Sequence, residues 1–169
     1  MSGPIINKVA NSPLVTVDLE DYKTVGPRVF IDISKWLEDG FLLREMPFRA
    51  VLQKHDWTKY KDHYVAIDCT SKAVLPAWAT LLITSYLSPY AKKIILGSLK
   101  DLEKQLFSNT ISLLDLKAFE NKPLMIKGCS DPSIPESAYI ELVQRLQTVA
   151  KSLFYGEACS SVPLWKAKK

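Results

Sequence analysis

Tyr64-Val65-Ala66-Ile67-Asp68, then Pro76 to Ser88, then Lys93-Ile94-Ile95-Leu96-Gly97 read as strand, helix and strand. Apolar runs this short, set on either side of a helix-length segment, are the pattern of strands covered on both faces in a parallel sheet. The rhythm continues downstream. Ser98, with Asp101 three residues on, opens a helix running to about Phe107. Thr110 to Phe119 reads as helical, Leu124 to Gly128 as a third strand, Pro135 to Val149 as a helix and Ser152 to Gly156 as a fourth strand. The expected fold class is α/β, with a mainly parallel sheet built of βαβ units.

Residues 64–159 form this βαβ core, and within it the text repeats. Setting Pro76 on Pro135 also superposes Ala79 on Ala138, Leu87 on Leu146, Ala91 on Ala150, Lys92 on Lys151 and Gly97 on Gly156. One residue of slack adds Cys69 on Cys129. Two βαβ units can also resemble each other through shared physics, since proline is favoured at helix starts.

Residues 1–63 read as an N-terminal extension. Leu14 to Leu19 and Arg28 to Ile33 alternate like half-buried strands, with turn residues Gly26-Pro27 between them. This predicts an antiparallel pair. Ser34 is expected to cap a short helix ending near Asp39-Gly40, and Pro47 to start another whose apolar face is Phe48, Val51, Leu52 and His55.

At 169 residues the chain is expected to be a single domain. Apolar content of 47% and charged content of 24% are those of an ordinary globular protein. The apolar stretch around Ala77 to Ile83 is too short to span a bilayer, and Met1-Ser2-Gly3-Pro4 does not open a signal peptide. A cytoplasmic location is therefore expected. The net charge of +4 is partly terminal, in Trp165-Lys166-Ala167-Lys168-Lys169, which reads as a solvated tail. No long basic stripe interleaved with aromatics occurs, so nucleic acid is not an expected partner.

Three cysteines, each followed by a hydroxyl residue, mark the strand ends: Cys69-Thr70, Cys129-Ser130 and Cys159-Ser160. Their number is odd and their spacing wide, which argues for reduced thiols. If all the strands share one sheet, right-handed βαβ units place these ends on one edge, where open α/β sheets bind ligands. Thiolates suit zinc or iron, so Cys69, Cys129 and Cys159 are the candidate metal ligands, with His55, Asp131 or Glu157 as a fourth. No Cys-x-x-Cys pair supports this, and free cysteines are also ordinary buried residues.

Two other chemistries fit the same edge. Cys69 or Cys129 could act as a nucleophile activated at a helix N-terminus. The chain's only histidines are His55, on an apolar face, and His63, ahead of a strand, so a base is hard to supply. Alternatively Thr70, Ser71, Ser130, Ser133, Ser160 and Ser161 could hold an anionic small molecule beside the helices opening at Pro76 and Pro135. The candidate ligand-binding set is Thr70, Ser130, Asp131, Glu157 and Ser160. Serines in such loops are also common turn residues. The acidic run Asp18-Leu19-Glu20-Asp21 reads as a solvated turn, and Asp32 as a half-exposed strand residue.

The helix from Pro76 to Ser88 carries no charge, which predicts burial on all sides. Either the N-terminal third covers it, or a second subunit does, making a homodimer through the 76–88 helix.

Asn7-Lys8-Val9-Ala10-Asn11-Ser12, His55-Asp56-Trp57, Pro135-Glu136-Ser137-Ala138-Tyr139 and Tyr155-Gly156-Glu157-Ala158-Cys159-Ser160 resemble a bacterial domain-of-unknown-function family, DUF 2480. The resemblance covers nearly the whole chain and assigns no activity or catalytic residue. It implies a link to iron–sulfur cluster assembly, because members tend to be encoded near genes for that process. The expected role is a non-enzymatic accessory or binding protein in metal or sulfur handling, with iron–sulfur assembly proteins as partners. The alternatives are a thiol-dependent enzyme and a structural interaction module.

Overall fold

A computed structural model describes residues 13–128, 131–157 and 160–168. The chain divides into two compact units, one of residues 1–24 and 104–169, the other of residues 25–103. Neither division falls at residue 64, where the strand–helix alternation begins.

The strands are β1 (Val15–Val17), β2 (Arg28–Asp32), β3 (Tyr64–Asp68), β4 (Lys93–Leu96), β5 (Pro123–Lys127), β6 (Ser152–Glu157) and β7 (Ser160–Lys166). The α-helices are α1 (Glu45–Lys54), α2 (Ala77–Leu87), α3 (Leu99–Ser112) and α4 (Glu136–Leu146). They build an α/β fold with two sheets. One has the order β2-β3-β4 and is all parallel. The other has the order β1-β5-β6-β7, parallel except for the antiparallel β6–β7 pair.

The mainly parallel α/β reading therefore holds, while the expected N-terminal antiparallel pair does not form. β1 and β2 lie in different sheets, each parallel to a strand far along the chain. Alternation marks a half-buried strand but does not name its partner. The antiparallel pair is at the C-terminus instead, where Trp165 and Lys166 belong to β7 and not to a solvated tail. Because β3 is in one sheet and β5 and β6 in the other, their carboxyl ends do not share the single sheet edge that was expected.

Local corrections have simple causes. Asp32, not Ser34, caps the 3-10 turn Ile33–Trp36, its carboxylate accepting from the Ser34 N–H at 3.0 Å. Ser98 and Asp101 do form the expected capping pair, but α3 continues through Thr110 to Ser112. The expected helix over 110–119 is therefore replaced by the end of α3 and a separate 3-10 turn, Lys117–Phe119.

In the unit of residues 25–103, α1 and α2 cover the sheet. Phe48, Leu52, Ala79, Ile83 and Leu87 pack with Ile31, Val65 and Ile67, and Trp57 and Tyr60 close the cluster. The uncharged helix α2 is thus covered by the chain's own N-terminal third, one of the two expected solutions. It also keeps a solvent face, with Leu81 67% exposed. Its hydroxyls are satisfied locally, as Thr84, Ser85 and Ser88 donate to carbonyls three or four residues back. The other unit packs Val17, Leu124, Ile126 and Leu153 against Phe107 and Ile111 of α3 and Ala138, Leu142 and Leu146 of α4.

Backbone hydrogen bonds recur at the offset that carries Pro76 to Pro135. Asp62 N–H donates to Tyr90 O at 3.0 Å, and Asn121 N–H to Val149 O at 2.9 Å. Lys92 N–H donates to His63 O, and Lys151 N–H to Lys122 O, both at 2.9 Å. Asp62 and Asn121 are both left-handed, with φ of 62° and 55°, and Gly97 and Gly156 have φ of 131° and 122°.

Candidate functional site

β2 and β3 are parallel ladder partners along their whole length, so they end together. Val29 faces Val65, Ile31 faces Ile67, and Asp32 faces Asp68. Parallel ladder partners sit one strand spacing apart, about 4.8 Å, with side chains on the same face. Two aspartates thus share one ladder position where the strands stop.

Asp32 is held firmly. It accepts from Ser34 N–H at 3.0 Å, from Thr70 N–H at 3.1 Å and from Thr70 Oγ1 at 2.6 Å. One side chain thereby caps the turn after β2 and pins the loop after β3. Burial pushes the Asp32 carboxyl up, but the bonds from Thr70 and Ser34 outweigh it and bring its pKa down to about 2. Asp68 accepts from the N–H of Cys69 at 2.7 Å. The Cys69 thiol lies 3.3 Å from Ser71 Oγ, and the chain then turns at Lys72, whose φ is 56°. Beyond the turn, α2 begins at Ala77.

These elements enclose a cleft of about 560 Å³. Asp68, Cys69, Thr70 and Lys72 form its polar side, and Ile33, Leu75 and Leu96 its apolar side.

The equivalent strand end of the other unit is arranged differently. Asp18 follows directly after β1 where Asp32 is the last residue of β2, and it caps the 3-10 turn Leu19–Tyr22 through Glu20 N–H at 3.0 Å. The residue that the repeat sets on Asp68 is Lys127, and its Nζ donates to Asp18 Oδ2 at 2.6 Å. That bond holds Asp18 below the usual carboxylate range. One unit therefore ends its strands in an ion pair. In the other, aspartates end both paired strands, and neither pairs with a described lysine or arginine.

The other candidate residues are placed as follows. Thr70 is at the cleft. Asp131 pairs with Lys23 at 2.9 Å and accepts from Ser133 N–H at 2.8 Å; the Lys23 bond leads in bringing its pKa to about 2. Glu157 ends β6 and faces Ser160 of β7 across the ladder, and both are exposed. Cys129, Ser130 and Cys159 lie outside the described residues. Among the described residues no three His, Cys, Asp or Glu side chains gather as a metal cage.

Both histidines are accounted for. His55 Nε2 lies 3.0 Å from Tyr60 Oη, and its ring packs edge-on against Trp57 and Trp36 at centroid distances of 4.6 and 5.2 Å. Burial lowers its pKa. His63 bonds Lys61 O at the opposite, amino-terminal end of β3. Neither lines the cleft, so among its described lining residues Cys69 has no histidine base.

Asp68 was not singled out in the sequence, and Asp32 read as an ordinary strand residue. The signal was the shared ending of Phe30-Ile31-Asp32 and Ala66-Ile67-Asp68, informative only once the two strands are known to pair.

Fold and site together define an α/β protein with a cleft at the carboxyl end of a parallel sheet. The chain belongs to the family described as protein of unknown function DUF2480, whose model matches residues 3–167. No curated protein and no solved structure matches it. Among the described residues no helix is long and apolar enough to cross a membrane.

Proposed function

We propose that this is a non-enzymatic binding protein of the cytoplasm whose cleft at Asp68 and Cys69, where β2 and β3 end, takes a small cation, a partly hydrated metal ion first of all. One observation carries the reading. Asp68 stands at the cleft with no described lysine or arginine paired to it, whereas the repeat-equivalent position is Lys127, which pairs with Asp18. The comparison treats the two units as copies of one pattern, an internal duplication we also propose. One or two carboxylates suffice for an ion that keeps most of its waters. Cys69, at the same lip, gives a softer ion such as zinc or iron a thiolate to bind. A role in metal or sulfur handling, alongside iron–sulfur assembly proteins, is the functional context this chemistry supports. The thiol-enzyme reading is weaker, because the described lining of the cleft offers Cys69 no histidine.

The test is calorimetric titration of the reduced, oxygen-free full chain with zinc, ferrous and magnesium ions. Asp68→Lys copies the Asp18–Lys127 pair. It is expected to abolish cation binding while raising the Tm by about 2–4 °C, the shift for about 1 kcal/mol in a chain this long. Cys69→Ser should weaken zinc and iron while sparing magnesium. Binding lost only on replacing Cys129 or Cys159 would sink the proposal and restore the cysteine-centred expectation.

A further inference from the structure

The unit of residues 1–24 and 104–169 contains a second cleft, of about 630 Å³, at the amino ends of β5 and β6. Its floor follows from the ladder. Pro123 faces Ser152, and Ser152 in turn faces Lys166. Two residues on, Phe154 faces Pro163. Residues two apart on a strand share a face, so Pro123, Ser152, Phe154 and Pro163 lie on one side of the sheet. The register slips between Leu153 and Phe154, leaving Leu164 as an extra residue in β7. Such bulges re-aim side chains, and here Pro163, Leu164 and Trp165 all reach the cleft wall.

Ser152 is 8% exposed, the one polar residue counted as buried among the described residues. It lines this cleft, and its hydroxyl bonds to no described residue. That hydroxyl is not among the described side-chain atoms sealed from solvent without a bond, so a ligand entering the cleft can reach it. Around it stand Lys122, Lys151 and Lys166, with no carboxylate among the lining residues. Lys122 donates to Ala118 O at 2.9 Å, whereas Lys151 and Lys166 form no ion pair with a described residue. The cleft thus combines a hydroxyl with no bond, two uncompensated ammonium groups and an apolar wall of Phe154, Trp165 and three prolines.

We propose that this cleft binds a planar aromatic carboxylate, its carboxylate on Ser152 Oγ and the Lys151 and Lys166 ammonium groups and its ring against Phe154 and the cleft's prolines. A Phe face favours a flat apolar body, and a carboxylate bonded by an ammonium group is the strong class of hydrogen bond. The site is independent of the Asp32–Asp68 reading, because it rests on different residues in the other unit.

Calorimetric titration of the full chain with 2-naphthoate tests it, with 2-naphthylmethylammonium as the matched cation. Saturable binding of the anion is expected, with the cation at least about tenfold weaker. Ser152→Ala should weaken 2-naphthoate by about tenfold or more. The same change should leave the Tm of the free protein within about 2 °C of wild type, since the hydroxyl bonds to no described residue and is open to the cleft. Lys151→Met with Lys166→Met should also weaken the anion, and abolish the salt dependence of its affinity. Equal binding of anion and cation, or no saturable binding, would overturn the proposal. So would a Ser152→Ala protein that is destabilised and keeps its affinity, because the serine would then have only a structural role.

Discussion

Ile83→Glu is expected to destabilise the protein by about 4–5 kcal/mol, enough to unfold the unit of residues 25–103 at room temperature. Ile83 is fully buried against the core of its own unit, between Ala79 and Leu87 on α2. A carboxylate there meets only apolar neighbours and has no partner to offset its desolvation. Urea denaturation followed by tryptophan fluorescence checks this, since Trp36, Trp57 and Trp78 all belong to that cluster. Leu81→Glu, on the exposed side of the same helix, should change stability by no more than about 0.5 kcal/mol. A dimeric wild type that Ile83→Glu converts into a folded monomer would contradict this packing and favour a subunit interface through α2.

The second large effect is a dependence on pH. Asp32 has a folded pKa of about 2, below its ordinary value. A depressed carboxyl stabilises the fold above its unfolded pKa of about 3.9, and that stability is lost as pH falls toward the folded value. Full linkage gives about 2.6 kcal/mol, and partial solvent access reduces this to about 1–2 kcal/mol. Asp32→Asn should therefore be less stable than wild type by that amount at pH 7, and the gap should close between about pH 4 and pH 2. Urea midpoints across pH 2–7 would show it. A gap that persists unchanged at pH 2 would mean that Asp32 acts through shape and not through its charge.

Much of the fold was legible in the sequence because its central strands are local signals. Val65-Ala66-Ile67 and Leu124-Met125-Ile126 are buried throughout, as unbroken apolar runs between helices predict. The Ser98–Asp101 cap could likewise be read from adjacent residues. Pairing could not, because it is settled by contacts between distant segments. Val15-Thr16-Val17 joins β5 across most of the chain, and only three ladder positions hold it there. β7 was missed because Ser160-Ser161-Val162-Pro163 has the look of a loop, and proline is tolerated there only at a sheet edge and beside a bulge.

The site divides along the same line. Cys69-Thr70 at a strand end was legible, as was His55 as a packed residue, although it follows α1 in extended backbone and does not lie on the expected helical face. The acidic pair was not. Asp32 and Asp68 are distant in sequence, and each by itself is an unremarkable strand-end residue. Only the parallel register of β2 and β3 makes them neighbours, and only the contrast with Asp18 and Lys127 shows that one of them departs from a pattern.

The most direct measurement is crystallographic. Crystals of the reduced full chain grown with manganese or zinc, with data collected at the absorption edge of the metal, would locate the bound ion by its anomalous signal. The expected result is one peak at the carboxyl ends of β2 and β3, within coordination distance of Asp68 or Asp32, about 2.0–2.2 Å for zinc to oxygen, and absent from Asp68→Lys crystals. A peak held by Cys129 and Cys159 with nothing between Asp32 and Asp68, or a peak that survives Asp68→Lys, would contradict the assignment of this cleft as a cation site.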